Sequence, residues 1–176
     1  GGFTGSTLII ALRSGVARGV FSNESGLASA PIAAAAAKTK SCVEQGLVSM
    51  TGTFLDTIVV CSMTGIILVL TNVWSGDLKG AEATKAAFNI GLPVIGQYIV
   101  GIGLIFLAFT TIIGWNYYGE RCTEYLFGTK GIVPYRLIYI VLVAIGPYLK
   151  LDLIWVLADI VNGMMAIPNL IALIGL

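Results

Sequence analysis

Residues 15–32 read GVARGVFSNESGLASAPI. The centre of this stretch, Ser22-Asn23-Glu24-Ser25-Gly26, is a poor helix interior. Ser and Asn compete for local backbone hydrogen bonds, and Gly favours caps and turns. A helical pattern precedes it, and the alanine-rich run 33–37, an excellent helix former, follows. The expected structure is two half-helices separated by an unwound centre, with Lys38 and Lys40 at a membrane exit. A break of this kind within lipid frees backbone N–H and C=O groups, which is tolerated only where they line a cavity or bind something. The N-terminal end of the second half, near Gly26-Leu27, would offer N–H groups to an anion such as a carboxylate. The last carbonyls of the first half, at residues 20–22, could hold a cation. The plainer alternative is a surface loop or helical hairpin capped by Asn23.

Lipid is the solvent that composition calls for. Hydrophobic residues make up 57% of the 176, charged residues only 11%, and mean hydropathy is +0.93. A soluble domain carries roughly 25% charged residues to cover its surface. The net charge of +1 leaves no footprint for nucleic acid. Histidine, the commonest general base and metal ligand, does not occur. Cys42, Cys61 and Cys122 show no paired spacing and read as reduced packing residues. The chain starts at Gly1-Gly2 without Met and ends inside an apolar run, as a piece of a longer membrane protein would.

Working outward from the break, residues 46–70 form an apolar run that would cover roughly 37 Å as a helix, against a hydrocarbon core of about 30 Å. Further spans are expected at 92–118, at 135–149 (broken near Gly146-Pro147) and at 153–176, the last holding Asp159, Asn162, Pro168 and Asn169. With 1–40 as a broken first span, this is an all-α membrane protein of five transmembrane helices in one domain, 1–176. The segments 71–91 and 119–136 read as connections. If 1–40 crosses once, Lys38, Lys40, Arg121, Lys130 and Arg136 share one side, with Lys79, Lys85 and Lys150 on the other. That bias puts the 38–45 and 119–136 loops in the cytoplasm.

Polar residues inside the apolar runs are the candidate site residues. Asp56 lies mid-span, where a carboxylate costs about 2.5–3.5 kcal/mol on insertion scales and needs a partner or a wet cavity. It reads as a cation ligand, a proton carrier, or a partner of Arg18 in a buried pair; Thr57 adds an oxygen. Thr110 and Thr111, with the Leu107 carbonyl one turn back, make an oxygen-rich spot suited to a hard monovalent cation, unless the threonines bond back to their own helix. Trp115 shares a face with Thr111 and is either an interface anchor or a pocket wall.

Four stretches, in order along nearly the whole chain, resemble the alanine or glycine:cation symporters: GVARGVFSNESGLASAPI (15–32), GTFLDTIVVCSMTG (52–65), FTTIIGWNYYGERC (109–122) and DIVNGMMAIPNLIAL (159–173). The resemblance implies the LeuT type of inverted-repeat fold. The five spans would be core helices six to ten, and the N-terminal half of the protein, with the rest of the site, would lie outside this chain. It also implies roles. Phe21, Ser22, Asn23, Glu24, Ser25 and Gly26 would form the unwound substrate-binding segment, with Thr111 and Trp115 bordering the pocket. Leu107, Thr110 and Thr111 would ligate sodium, and Asp56 and Thr57 would stand near a second sodium or proton site. Ser25 and Ala28 depart from the Ala or Gly more usual in the family, which bears on fine specificity.

The function expected is sodium-coupled symport of alanine or glycine by alternating access in the plasma or inner membrane, with sodium as co-transported ion and no organic cofactor. Proton coupling on the same fold is the nearest rival. A membrane enzyme would need a nucleophile with its base or clustered metal ligands, and a non-transporting helical bundle would not need the break.

Overall fold

The computed structural model describes residues 2–175, with side chains from residue 5 onward. Residues 1 and 176, the outer ends of the expected first and last spans, lie outside the described residues. Among those described, the regular elements are all helical. Four helices are long and apolar enough to cross a membrane: Cys42–Leu70, Ile95–Phe127, Thr129–Tyr148 and Leu151–Gly175. The expected first span is not among them. Its helix, α1 (Gly2–Asn23), carries Arg13 and Arg18 and is rich in Gly and Ser. Hardly any apolar side chain is enclosed: among the described residues Leu27, Ala83 and Ala87 are the buried hydrophobic ones, and the most apolar stretches of all four long helices are 0% buried. Such a surface is stable only against lipid or other protein.

Helix α1 runs two residues further into the polar segment than the sequence suggests, ending at Asn23. Its interruption is residues 24–29. Glu24, Gly26 and Ala28 all take left-handed backbone, at φ 55, 82 and 62, a conformation that disfavours side chains with a Cβ. The second half, α2 (Ala30–Ala34), has only five residues. The helix expected through 33–37 stops at Ala34 and closes in turns from Ala36 to Ala33 and from Ala37 to Ala34. Pro31 withholds a donor at its start, and so short a helix barely offsets its own nucleation.

Ser41 then caps α3 (Cys42–Phe54), its hydroxyl accepting from the Glu44 N–H at 3.1 Å while Glu44 Oε2 accepts from the Lys40 N–H. This Ser-x-x-Glu arrangement satisfies two donors at the helix start. After Phe54 the ladder widens to a π-helix, Leu55–Cys61, before α4 (Ser62–Leu70). Single π turns inside α-helices concentrate at functional sites, and this one contains Asp56.

The 71–91 connection contains α5 (Ala81–Gly91), which packs on α6 (Ile95–Phe127). Helix α6 overturns the expectation of a loop after residue 118. It continues to Phe127 because Gly119–Phe127 has good helix formers and an i,i+3 pair, Arg121–Glu124 at 2.7 Å, and it stops where Gly128 turns left-handed. Helices α7 (Ile132–Ile145) and α8 (Leu151–Gly175) follow, with Pro168 inside α8. The chain divides into two compact units, residues up to Asp56 with those from Arg136 onward, and Thr57–Tyr135.

Candidate functional site

In the first unit the break, α3 and α8 line an open cavity of about 600 Å³. Ser22 to Gly26, Ala28 and Ala30 line one side, Ser49, Thr53 and Asp56 another, and Asn169 with Leu173 a third. Its lining holds two carboxylates, Glu24 and Asp56, and no Lys or Arg. Such a cavity attracts cations and ammonium groups and disfavours free anions.

Asp56 is held by the last turn of α1. The Ser22 hydroxyl donates to its carboxylate, with oxygens at 2.9 and 3.1 Å. The suggested pairing of Asp56 with Arg18 is not formed. Arg18 instead makes a bidentate bridge to Asp159 on α8, at 2.9 and 3.1 Å. Its guanidinium also stacks 4.0 Å above the Trp155 ring, against which Phe21 packs edge-on at 5.6 Å. Arg18 lies one turn before Ser22, so the planar guanidinium reaches α8 while the short hydroxyl is left to Asp56.

Of the N–H groups expected to be free near Gly26-Leu27, two are already used. Ser25 N–H donates to the Asn23 side chain at 2.9 Å and Leu27 N–H to the Glu24 carbonyl at 3.3 Å. The Gly26 carbonyl accepts from Asn169 Nδ2 at 3.1 Å. Ser29, 1% exposed, is different: its hydroxyl has no hydrogen-bond partner among the described residues.

The remaining sequence-predicted residues belong to the second unit and are described by themselves. Thr110 Oγ1 donates to the carbonyls of Phe106 and Leu107, each at 3.0 Å. That is the back-bonded arrangement, which uses the proton but leaves oxygen lone pairs facing outward. Thr111 forms no such back-bond among the described residues. Trp115 meets Tyr118 edge-to-face at 5.8 Å, and Tyr118 meets Tyr117 at 6.4 Å. Thr57 follows Asp56 in the π turn.

Sequence reasoning missed Ser49, Thr53, Trp155, Asp159 and Asn169 as site or support residues. One signal was present: Ser49, Thr53 and Asp56 stand at i, i+4 and i+7, a polar stripe on one helix face. The partners of Asp159 and Asn169 lie 141 and 143 residues away, beyond any local pattern.

Residues 1–176 match the sodium:alanine symporter family. The chain is 65% identical over 178 residues to an uncharacterized transporter of Haemophilus influenzae, covering 100% of this chain and 39% of that one. It is 53% identical to the sodium/alanine symporter AgcS of Methanococcus maripaludis (97% of this chain, 38% of that one). It is 36% identical to the probable sodium/glutamine symporter GlnT of Bacillus subtilis (96% and 36%). The chain thus spans less than two fifths of the length of these relatives. No solved structure matches it.

Proposed function

Because the chain belongs to the sodium:alanine symporter family, a family of multi-pass membrane proteins, we propose that the full-length protein takes up a small neutral amino acid, alanine or glycine, together with sodium. The observation that carries this reading is the cavity at the helix break, with its two carboxylates, its hydroxyls and no basic side chain. Such a lining suits a hard cation and the ammonium end of an amino acid together. The carboxylate end of the substrate needs N–H donors; those of Ser25 and Leu27 are occupied, which leaves the backbone of Gly26 and Ala28 on the cavity wall, with any further donors from other parts of the full-length protein.

In this proposal residues 1–40, α3 with α4, α6, α7 and α8 are core helices six to ten of a LeuT-type transporter in the plasma membrane. Phe21 to Gly26 is the substrate segment. Leu107, Thr110 and Thr111 are one sodium site, Asp56 and Thr57 stand by a second sodium or proton site, and Thr111 and Trp115 border the substrate. Cation and amino acid bind cooperatively, each raising the affinity of the other, so the cation gradient drives uptake by alternating access.

The test is uptake of labelled alanine, glycine and glutamine by the full-length protein in proteoliposomes under an inward sodium gradient. Glutamine is included because the name of the Bacillus relative GlnT specifies it. Accumulation of alanine or glycine that collapses with the sodium gradient is expected. Uptake that follows only a proton gradient would replace sodium in the reading, and uptake indifferent to both gradients would end it.

A further inference from the structure

The one side-chain hydrogen bond from α8 into the interruption among those described comes from Asn169 to the Gly26 carbonyl. That carbonyl and the Leu27 N–H belong to the same planar peptide unit and point in opposite directions. The N–H donates to the Glu24 carbonyl at 3.3 Å, while the C=O accepts from Asn169 at 3.1 Å. The unit is therefore held at both edges, once from within the break and once from α8. Gly26, at φ +82, puts no Cβ in the way of rotation about its ψ. Without the outer hold, little steric resistance keeps the carbonyl and the N–H from exchanging directions.

The holder follows a proline. Pro168, directly before Asn169, has no N–H, so the Met164 carbonyl loses its ladder partner and α8 is weakened there. Asn169 lines the same cavity as Asp56 and Glu24. The orientation of the Gly26–Leu27 unit thus decides whether the wall of that cavity offers an acceptor or a donor. We infer that Asn169 is a positioning residue: it locks the Gly26–Leu27 peptide plane and thereby sets the ligand affinity of the break. The affinity part rests on the symporter reading; the lock itself does not.

Two measurements on the full-length protein test the inference. Hydrogen–deuterium exchange of the wild type, Asn169→Asp, Asn169→Ala and Asn169→Gln is followed across residues 24–29 and, as reference, across α6. Alanine KM and Vmax are measured for the same proteins in proteoliposomes. Asn169→Asp replaces a donor by an acceptor that repels the carbonyl, so exchange in the break and the alanine KM should each rise about fivefold, the scale of losing one hydrogen bond at an exposed carbonyl. Vmax, normalised to the amount of inserted protein, separates a change of affinity from a loss of folded protein. Asn169→Gln, which keeps the amide, should fall between wild type and Asn169→Ala. Unchanged exchange at 24–29 in Asn169→Asp, or a rise of equal size in α6, overturns the lock. A rise confined to the break with KM unmoved overturns its role in affinity. A wild type that takes up no alanine refutes the symporter reading alone, and the exchange comparison then still decides the lock.

Discussion

Ser22 and Asp56, 34 residues apart, are joined by one hydroxyl that donates into a carboxylate standing 2.9 and 3.1 Å away. A hydroxyl has one proton and a carboxylate about four lone-pair sites, so most acceptor capacity of Asp56 remains available to a cation. Asp56→Asn keeps the shape and removes the charge. The sodium concentration for half-maximal alanine uptake should rise about tenfold, equivalent to about 1.4 kcal/mol. Ser22→Ala should change it by about threefold at most, as befits one hydrogen bond. A sodium titration of both variants decides; Asn behaving as wild type would remove Asp56 from the cation site.

The two threonines of α6 should differ. Thr110 already donates to Phe106 and Leu107, whereas Thr111 is free of that bond. Thr111→Ala should raise the sodium requirement, with a smaller effect at saturating sodium, and Thr111→Ser should be nearly silent because the oxygen stays. Thr110→Ser should likewise be silent, since it preserves the back-bond. If Thr111→Ala and Thr111→Ser give the same sodium titration, the hydroxyl is no ligand.

Arg18 offers a test of charge against shape. Its bridge to Asp159 has side chains 39% and 45% exposed, and an exposed pair contributes only about 0.2–1 kcal/mol. Stacking on Trp155 adds a similar amount, about 0.5–1 kcal/mol. Arg18→Lys keeps the charge but loses the planar fork and the stack. Its melting temperature should therefore fall most of the way to that of Arg18→Ala. A Lys variant as stable as wild type would show that charge alone suffices.

Gly96 opens the first turn of α6 with no room for a methyl group. A Cβ there would overlap the Phe88 carbonyl, which is backbone and cannot swing aside. Gly96→Ala should lower stability by about 1–3 kcal/mol, the usual range for overpacking. Gly103, on the same helix, has nothing within 4 Å of such a Cβ, and Gly103→Ala should be neutral or stabilising. Thermal scans of the two variants in detergent check the contrast.

The interruption of α1 was legible because Ser, Asn and Gly announce lost helix propensity locally, and the long apolar runs announce membrane length. The boundary was not: Asn23 ends the helix, and the left-handed turns at Glu24 and Ala28 have no sequence signature, since neither residue favours them. The π turn at Leu55–Cys61 is equally silent, its apolar residues fitting an α ladder as well. The sequence reads α6 as ending early because Arg121, with Lys130 and Arg136, looks like loop charge, whereas Arg121 pairs with Glu124 along the helix. Asp56 was one candidate partner for Arg18, whereas the chain brings Asp159 to it. Proximity in sequence is a poor guide once two helices lie side by side.

The partnerless hydroxyl of Ser29 has a consequence for populations. Burying a hydroxyl with no partner raises the free energy of this conformer by about 1–3 kcal/mol over any conformer that gives the same oxygen a partner. Each 1.4 kcal/mol is about a tenfold ratio of occupancies. Ser29 therefore tilts the equilibrium away from the arrangement described here, by a weight that Ser29→Ala would lift and that a bound water, ion or shifted carbonyl would cancel. Under the proposed alternating access, one unsatisfied oxygen at the break would weigh on which shape waits and which one is visited.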